Sequence, residues 1–435
     1  MAMPSSTPDT NAVAPANETR ERKGFVPGLG AIFLIVFLDI LGFSLVLPFL
    51  AKEASETFHT TAFVGTVLSG SIYSLMQFLF VPVWGRISDR VGRRPVLLWS
   101  VLATSVGMAS LGVGLVYASS VAWLFLARIW SGIATANIGT ASAYIADVTK
   151  PEDRARGMGM IGMAFGLGFI LGPAIGGMLS RIPIGGRMGA VPCFVAAALS
   201  IVNFAWAYFH LRESLSIDRR AKSKRSLSPL NIAAAREAFA RPGVARAILV
   251  NFILILSFTI LDQTFALFNA RKFGITEFGT GLVLMFVGVV AASVQGALIR
   301  PLSRRYDDSV LIRVGTILQA IAFAGIAISP SFGLSALVLA SGLLALGNGL
   351  TQPGIAAYVS KRADPRAQGN TLGTNQSASA LARVFGPAFG GWMFQTFGPR
   401  SPYVAGALGM AVASAIALTL AAASRADAEP PATAG

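Results

Sequence analysis

Cysteine and histidine are nearly missing from this chain. A lone Cys193 leaves no internal disulfide and no thiolate cluster for a metal. The two histidines, His59 and His210, fall near the ends of apolar runs, so neither suits a proton carrier deep in a membrane. Charge is scarce too: 13% of residues are Asp, Glu, Lys or Arg, against about 25% in an ordinary soluble protein. No Ser/His/Asp set, no His and Cys at metal-ligand spacing and no Walker-type loop occurs, which argues against hydrolysis, metal chemistry and ATP drive. The sequence therefore predicts no catalytic residue, no metal site and no cofactor. Residues 1–24 are polar, rich in Pro, Ser, Thr and Asn, and contain no apolar core. They read as a disordered cytoplasmic tail rather than a signal peptide.

What the chain has instead is apolar length. Hydrophobic residues make up 54% of it, and the mean hydropathy is +0.64. Runs of about 20 apolar residues, enough to cross a bilayer, recur throughout. They are apolar nearly all round, which fits helices and not the alternating strands of a barrel. The expected spans are 26–50, 62–84, 95–117, 119–145, 157–180, 187–211, 246–270, 278–299, 309–329, 332–357, 369–394 and 401–423. The fold class expected is an all-α membrane protein of twelve spans.

The net charge of +15 could suggest nucleic acid, but its distribution excludes that reading. Twenty-seven of the 35 Lys and Arg residues fall on one side of the spans and six on the other, while Arg128 and Arg383 lie within them. This is the positive-inside rule, and it places both termini in the cytoplasm of a multi-pass protein of the plasma (inner) membrane. The chain divides into a tail at 1–24, a six-helix bundle at 25–211, a basic linker at 212–245, a second bundle at 246–423 and a tail at 424–435. Within the linker, Ile232 to Phe239 is expected to form a surface helix. The halves repeat: Gly172-Pro173-Ala-Ile-Gly176-Gly177 returns as Gly386-Pro387-Ala-Phe-Gly390-Gly391, and Tyr144 and Pro151 match Tyr358 and Pro365 at the same offset. Parallel halves of this kind imply alternating access around a central site.

Between the second and third spans lies Gly85-Arg86-Ile-Ser-Asp89-Arg90-Val-Gly92-Arg93-Arg94. This stretch resembles the signature loop between helices 2 and 3 of the major facilitator superfamily, read here as a short turn. The resemblance implies that Gly85, Asp89, Arg90, Gly92, Arg93 and Arg94, with Asp147 at the end of the fourth span, form a conformational latch. The alternative is a loop that only orients the chain. In the fifth span, Gly159, Gly168, Gly172, Pro173, Gly176 and Gly177 resemble the pattern that marks antiporters in that superfamily. Physically they permit close helix packing, with or without a directional consequence.

Asp39 stands in the middle of the first span, where a carboxylate is costly and points to function. Arg128 in the fourth span is its expected partner at similar depth. Asp262 in the seventh span is the second candidate for proton coupling, with Arg383 as its counter-charge, in either a structural or a transport role. In related antiporters the arginine matching Arg128 is implicated in proton coupling. Tyr73, Gln77, Asn137, Gln263, Asn348 and Asn375 are the polar residues expected to line the cavity.

From Tyr73 to Arg94, from Leu126 to Asp147, and from Ala164 to Pro173 the chain is similar to tetracycline/proton antiporters and their twelve-span drug-efflux relatives. It departs from them at Gly107, Gln319 and Ala291 or Ala292, where those antiporters carry acidic residues and a histidine. The resemblance implies a monomeric, proton-driven exporter of an amphiphilic small molecule, with protons and the lipid bilayer as its other partners. Proton-coupled uptake of a sugar or organic acid keeps the same fold, and a membrane-embedded sensor is the remaining alternative.

Overall fold

A computed structural model describes residues 29–149, 154–186, 189–215, 220, 232–363 and 368–420. The expected tails, most of the linker, and Pro151 and Pro365 lie outside the described residues. The first half contains α1 (Leu29–Phe58), α2 (Ala62–Val91), α3 (Arg93–Tyr117), α4 (Ala122–Ala134), α5 (Ile138–Val148), α6 (Arg154–Leu179) and α7 (Ala190–His210). A short helix, α8 (Ile232–Phe239), lies where a surface helix was expected. The second half contains α9 (Pro242–Phe273), α10 (Glu277–Arg305), α11 (Asp308–Ile328), α12 (Leu334–Arg362), α13 (Gln368–Thr396) and α14 (Ser401–Leu418). Nine helices among the described residues are long and apolar enough to cross a membrane. The chain is an all-α membrane protein, with no strand among the described residues.

Local signals set several helix ends. Thr61 caps α2 by accepting from the Val64 amide at 3.3 Å. Pro242 opens α9, where its missing N–H costs nothing, and Gly274 closes it at φ 65°.

Three expectations about the elements need correction. The first span does not stop at residue 50: α1 continues to Phe58 and carries Lys52, Glu53 and Glu56 on a helix. The Gly85–Arg94 stretch is not a loop, because α2 runs through Val91 and α3 begins at Arg93. Only Gly92 breaks the helix, at φ 118°, a conformation that a β-carbon would strain. Its second-half counterpart is likewise helical through Arg305.

The third correction is the fourth span, which is two helices with a turn at residues 135–137. The cause is tertiary. Trp84 Nε1 donates to the Ile133 carbonyl at 2.6 Å, Ser100 Oγ to that of Ala134, and Gln77 Nε2 to that of Thr135 at 3.3 Å. Three consecutive carbonyls are thus taken by side chains of α2 and α3, and the helix kinks where side chains enter its ladder.

Packing follows the glycines. A β-carbon on Gly168 would lie 2.6 Å from Ile40 Cγ2, on Gly172 1.8 Å from Ser44 Oγ, and on Gly176 2.1 Å from the Leu45 carbonyl oxygen. These three therefore seat α6 against α1. Gly177 instead faces α10, 2.5 Å by the same measure from the Glu277 carbonyl oxygen. Outside, Trp99, Leu126, Leu339 and Leu408 are exposed toward the surrounding phase, as a lipid-facing surface requires. We expect Gly176→Ala to lower thermal stability in detergent by about 1–3 kcal/mol through overpacking. Gly166→Ala, with open space around its position, should change it little. Equal melting temperatures for both variants would refute this packing.

Candidate functional site

The turn between α4 and α5 builds the polar centre of the first half. It frees Asn137, whose Nδ2 donates to Asp39 Oδ2 at 3.2 Å. Asn203 from α7 approaches Asp39 Oδ1 at 3.5 Å and donates to the Ile35 carbonyl at 3.1 Å. Thr135 donates to the Tyr73 hydroxyl at 2.6 Å, and Phe43 stacks on the Tyr73 ring with centroids 4.8 Å apart. Asp39, Phe43, Tyr73, Gln77, Thr135 and Asn137 together line a cavity of about 20 Å³, enough for one water molecule. Sequence reasoning named Tyr73, Gln77 and Asn137 for the cavity, and they do meet. Thr135, the turn that organises them, carried no signal of its own.

The expected Asp39–Arg128 ion pair is absent. Arg128 is fully buried, its guanidinium lies 5.4 Å from the Tyr73 ring centroid, and its three nitrogens have no hydrogen-bond partner. Two structural facts undo the depth match read from the sequence. α1 runs eight residues further than expected, and the fourth span starts at Ala122 and breaks after Ala134. Asp39 is consequently held by two amides and not by a cation.

The second half shows the same pattern. Asp262 accepts from Gln263 Nε2 at 2.9 Å, and no ion pair joins it to Arg383. Gln263 reaches across to the other half, where Ser69 Oγ donates to its Oε1. Asn375 accepts from Asn251 Nδ2 at 2.9 Å, while Asn348 lies half-buried on α12. These last two do not join the Asp39 cluster.

At the end of the bundle where α2 meets α3, Arg93 connects two carboxylates. Its guanidinium binds Asp89 and, through Nε at 3.2 Å, Asp147. Glu213, which the sequence did not single out, caps α3 by accepting from the Arg93 and Arg94 amides at 2.8 and 3.2 Å. Arg94 donates to the Tyr208 carbonyl at 2.7 Å, and Arg90 is exposed. Gly85 is buried in α2, and the side-chain surroundings of Gly159 lie outside the described residues.

The opposite end, at the α1–α2 and α9–α10 turns, is where the halves close on each other. Gly70 receives the Pro387 ring and Gly391 the Thr66 side chain, so each glycine lets α2 and α13 approach closely. The Ala388 amide donates to Ser71 Oγ at 3.1 Å. Gly281 and Gly288 of α10 abut Pro173 and Ile170 of α6. Ionic contacts lie over this seam. Lys52 pairs with Glu277, while Arg181 donates to Thr276 Oγ1 at 3.3 Å and covers the Phe278 ring at 4.3 Å. Placing Lys52 in a loop hid this clamp from the sequence reading.

Two helical halves closed at one end around buried, unpaired charges define a transporter rather than an enzyme. The family model described as Major Facilitator Superfamily matches residues 32–387 and 331–434, and the chain belongs to that superfamily. It is 31% identical over 356 residues to the class C tetracycline resistance protein of Escherichia coli, covering 81% of this chain and 86% of that one. It is 28% identical over 369 residues to multidrug resistance protein 2 of Bacillus subtilis (strain 168), covering 83% and 88%. Among solved structures, a bacterial homologue of the human lysosomal transporter Spinster in an inward-facing, unoccupied conformation superposes with a TM-score of 0.75. The identity is 18%, covering 93% of this chain and 98% of that one. The human organic anion transporter MFSD10 superposes at 0.68, with 24% identity over 90% and 99%. These two likenesses speak for the fold alone.

The clamp generates a test. Cys193 is fully buried, so a cysteine placed at Ala62, on the seam, is the thiol that an impermeant maleimide reads. Lys52→Glu and Glu277→Lys should each speed labelling several-fold, and the double reversal should restore the slow rate. Single reversals that label at the wild-type rate would show that the ion pair does not hold the seam.

Proposed function

We propose that the protein is a proton-coupled antiporter of the plasma membrane that exports an amphiphilic small molecule by alternating access. The observation that carries this reading is Asp39, a carboxylate inside a span with amide partners and no cation. Such a group is expensive to bury ionised, and it can exchange a proton without first breaking an ion pair. The tetracycline and multidrug resistance relatives support export of drug-like cargo. The close glycine packing of α6 against both α1 and α10 supports exchange over leak.

The positive-inside rule puts the α1–α2 turn outside the cell and both termini inside. The seam is then the outer gate, and the conformation faces inward. In the opposite state Asp39, once deprotonated, moves from its amides to Arg128, whose nitrogens lack partners in the inward state. Protonation from outside releases that pair and allows the return. Asp262 is the second proton-coupling site, with its Gln263 link to Ser69 tying it to the outer gate.

In proteoliposomes, Asp39→Asn should abolish cargo accumulation driven by a pH gradient while the protein still inserts. Arg128→Ala should uncouple as well, and Arg128→Lys should rescue only part, since the guanidinium fork is lost. Gradient-driven accumulation by Asp39→Asn would move the proton site elsewhere, with Asp262 next to examine.

The Asp89–Arg93–Asp147 cluster acts as the latch of the inner ends. Asp89→Asn shifts the balance between states and leaves the cavity unchanged. Turnover should slow while cargo affinity stays within a few-fold. Normal turnover would reduce the cluster to a topology marker.

A further inference from the structure

Beyond its apolar stretch α1 carries Lys52, Glu53 and Glu56, and these charges face two ways. Lys52 joins Glu56 at 3.1 Å and Glu277 across the seam. Glu53 is turned into the protein instead and keeps only 5% of its surface exposed. Its carboxyl rests on Gly189, the left-handed residue at φ 79° that opens α7. A β-carbon on Gly189 would come within 2.4 Å of Glu53 Cδ and 2.6 Å of its Oε2, so this seat requires glycine. The acid shares a cavity of about 10 Å³ with Ser180, whose hydroxyl is buried without a partner. The rest of the lining is apolar, with Phe49, Leu50 and Leu115 among it.

Among the described residues nothing donates a hydrogen bond to Glu53. The titratable groups around it are Lys52 and Glu56 on its own helix, Glu277 on α10 and the Cys193 thiol on α7. The one cation of that set is already taken by Glu56 and Glu277. An ionised carboxylate is expensive in such a pocket, and a neutral acid much less so. Ionised, Glu53 also repels Glu277 and competes with it for Lys52. Its charge therefore works against the clamp, and a proton removes the conflict.

We propose that Glu53 is a proton-binding site of the outer gate and that its proton keeps the gate shut. The site is separate from the Asp39 centre, about 20 Å away along α1. It goes beyond the export reading, since it needs neither cargo nor gradient. The closed state holds the proton and the open state releases it, so closure is favoured in acid and lost as pH rises. In an exchange cycle, the external acid that loads Asp39 thereby also closes the outer end behind it.

Spin labels attached through Tyr117→Cys and Phe332→Cys test this. Both positions are exposed at the outer ends of opposite halves, and Cys193 is buried and escapes labelling. The parent protein is the full chain in detergent, carrying Asp39→Asn and Asp262→Asn so that neither acid titrates. Distances between the labels are recorded by electron–electron double resonance from acid to mildly alkaline buffer. The longer separation should gain population as pH rises, with the closed-to-open ratio falling by up to about tenfold per pH unit. Adding Glu53→Gln should hold the short separation at every pH. Glu53→Met, which suits an apolar cavity, takes its place should the glutamine variant fail to fold. A parent without a pH response overturns the inference, and so does a response that survives in the neutral variant. No cargo enters the measurement, so failure of gradient-driven export in proteoliposomes would sink the antiport reading and leave this site standing.

Discussion

A spanning helix cannot simply stop in the middle of a bilayer, because freed carbonyls find no water there. The turn between α4 and α5 exists because Trp84, Ser100 and Gln77 accept that constraint, each donating to one of three successive carbonyls. Much of the polar centre depends on it. Without the turn, Asn137 would follow the helical register and Thr135 would not reach the Tyr73 hydroxyl. With it, Asp39 obtains a donor at 3.2 Å, and the Tyr73 ring is fixed between Phe43 and Thr135. A backbone irregularity buried in protein thereby becomes the frame of a charged site.

Glycine does the complementary work at the seam. Apolar side chains gain little by leaving lipid for a helix interface, so helices in a membrane associate through close contact and polar links. Gly168, Gly172 and Gly176 bring α6 onto α1, and Gly177, Gly281 and Gly288 bring α6 and α10 together. On the other side of the molecule Gly70 and Gly391 do the same for α2 and α13. Over the resulting seam lie Lys52–Glu277 and the Arg181 contacts with Thr276 and Phe278. Close helix contact closes the end, and one ion pair with the Arg181 contacts covers it, so few polar links have to break for it to open.

Inside the spans the charges are kept apart. Asp39 and Asp262 take amides, and the buried nitrogens of Arg128 have no acceptor among the described residues. A buried guanidinium without a counter-charge is unfavourable, so this conformation holds Arg128 in a state that another arrangement relieves. That imbalance is the physical basis for expecting a second conformation from a single structure.

The sequence alone determined that this is a helical membrane protein and which family it belongs to, and it offered a set of spans, an orientation and a two-half repeat. Each of these rests on composition and spacing, which survive without knowledge of contacts. It also named Asp39, Arg128, Asp262 and the glycines of α6, because an ionisable residue or a glycine run inside an apolar stretch is conspicuous by itself. It could not say what those charges touch. Asn137 reaches Asp39 because three side chains from other helices break the fourth span, and α1 carries Lys52 to Glu277 because the helix outlasts its apolar stretch. Glu213 caps α3 from beyond the sixth span, 120 residues away in the chain. Pairing among buried polar groups depends on relative helix rotation and depth, set by packing across the whole bundle, and no local pattern of residues encodes it.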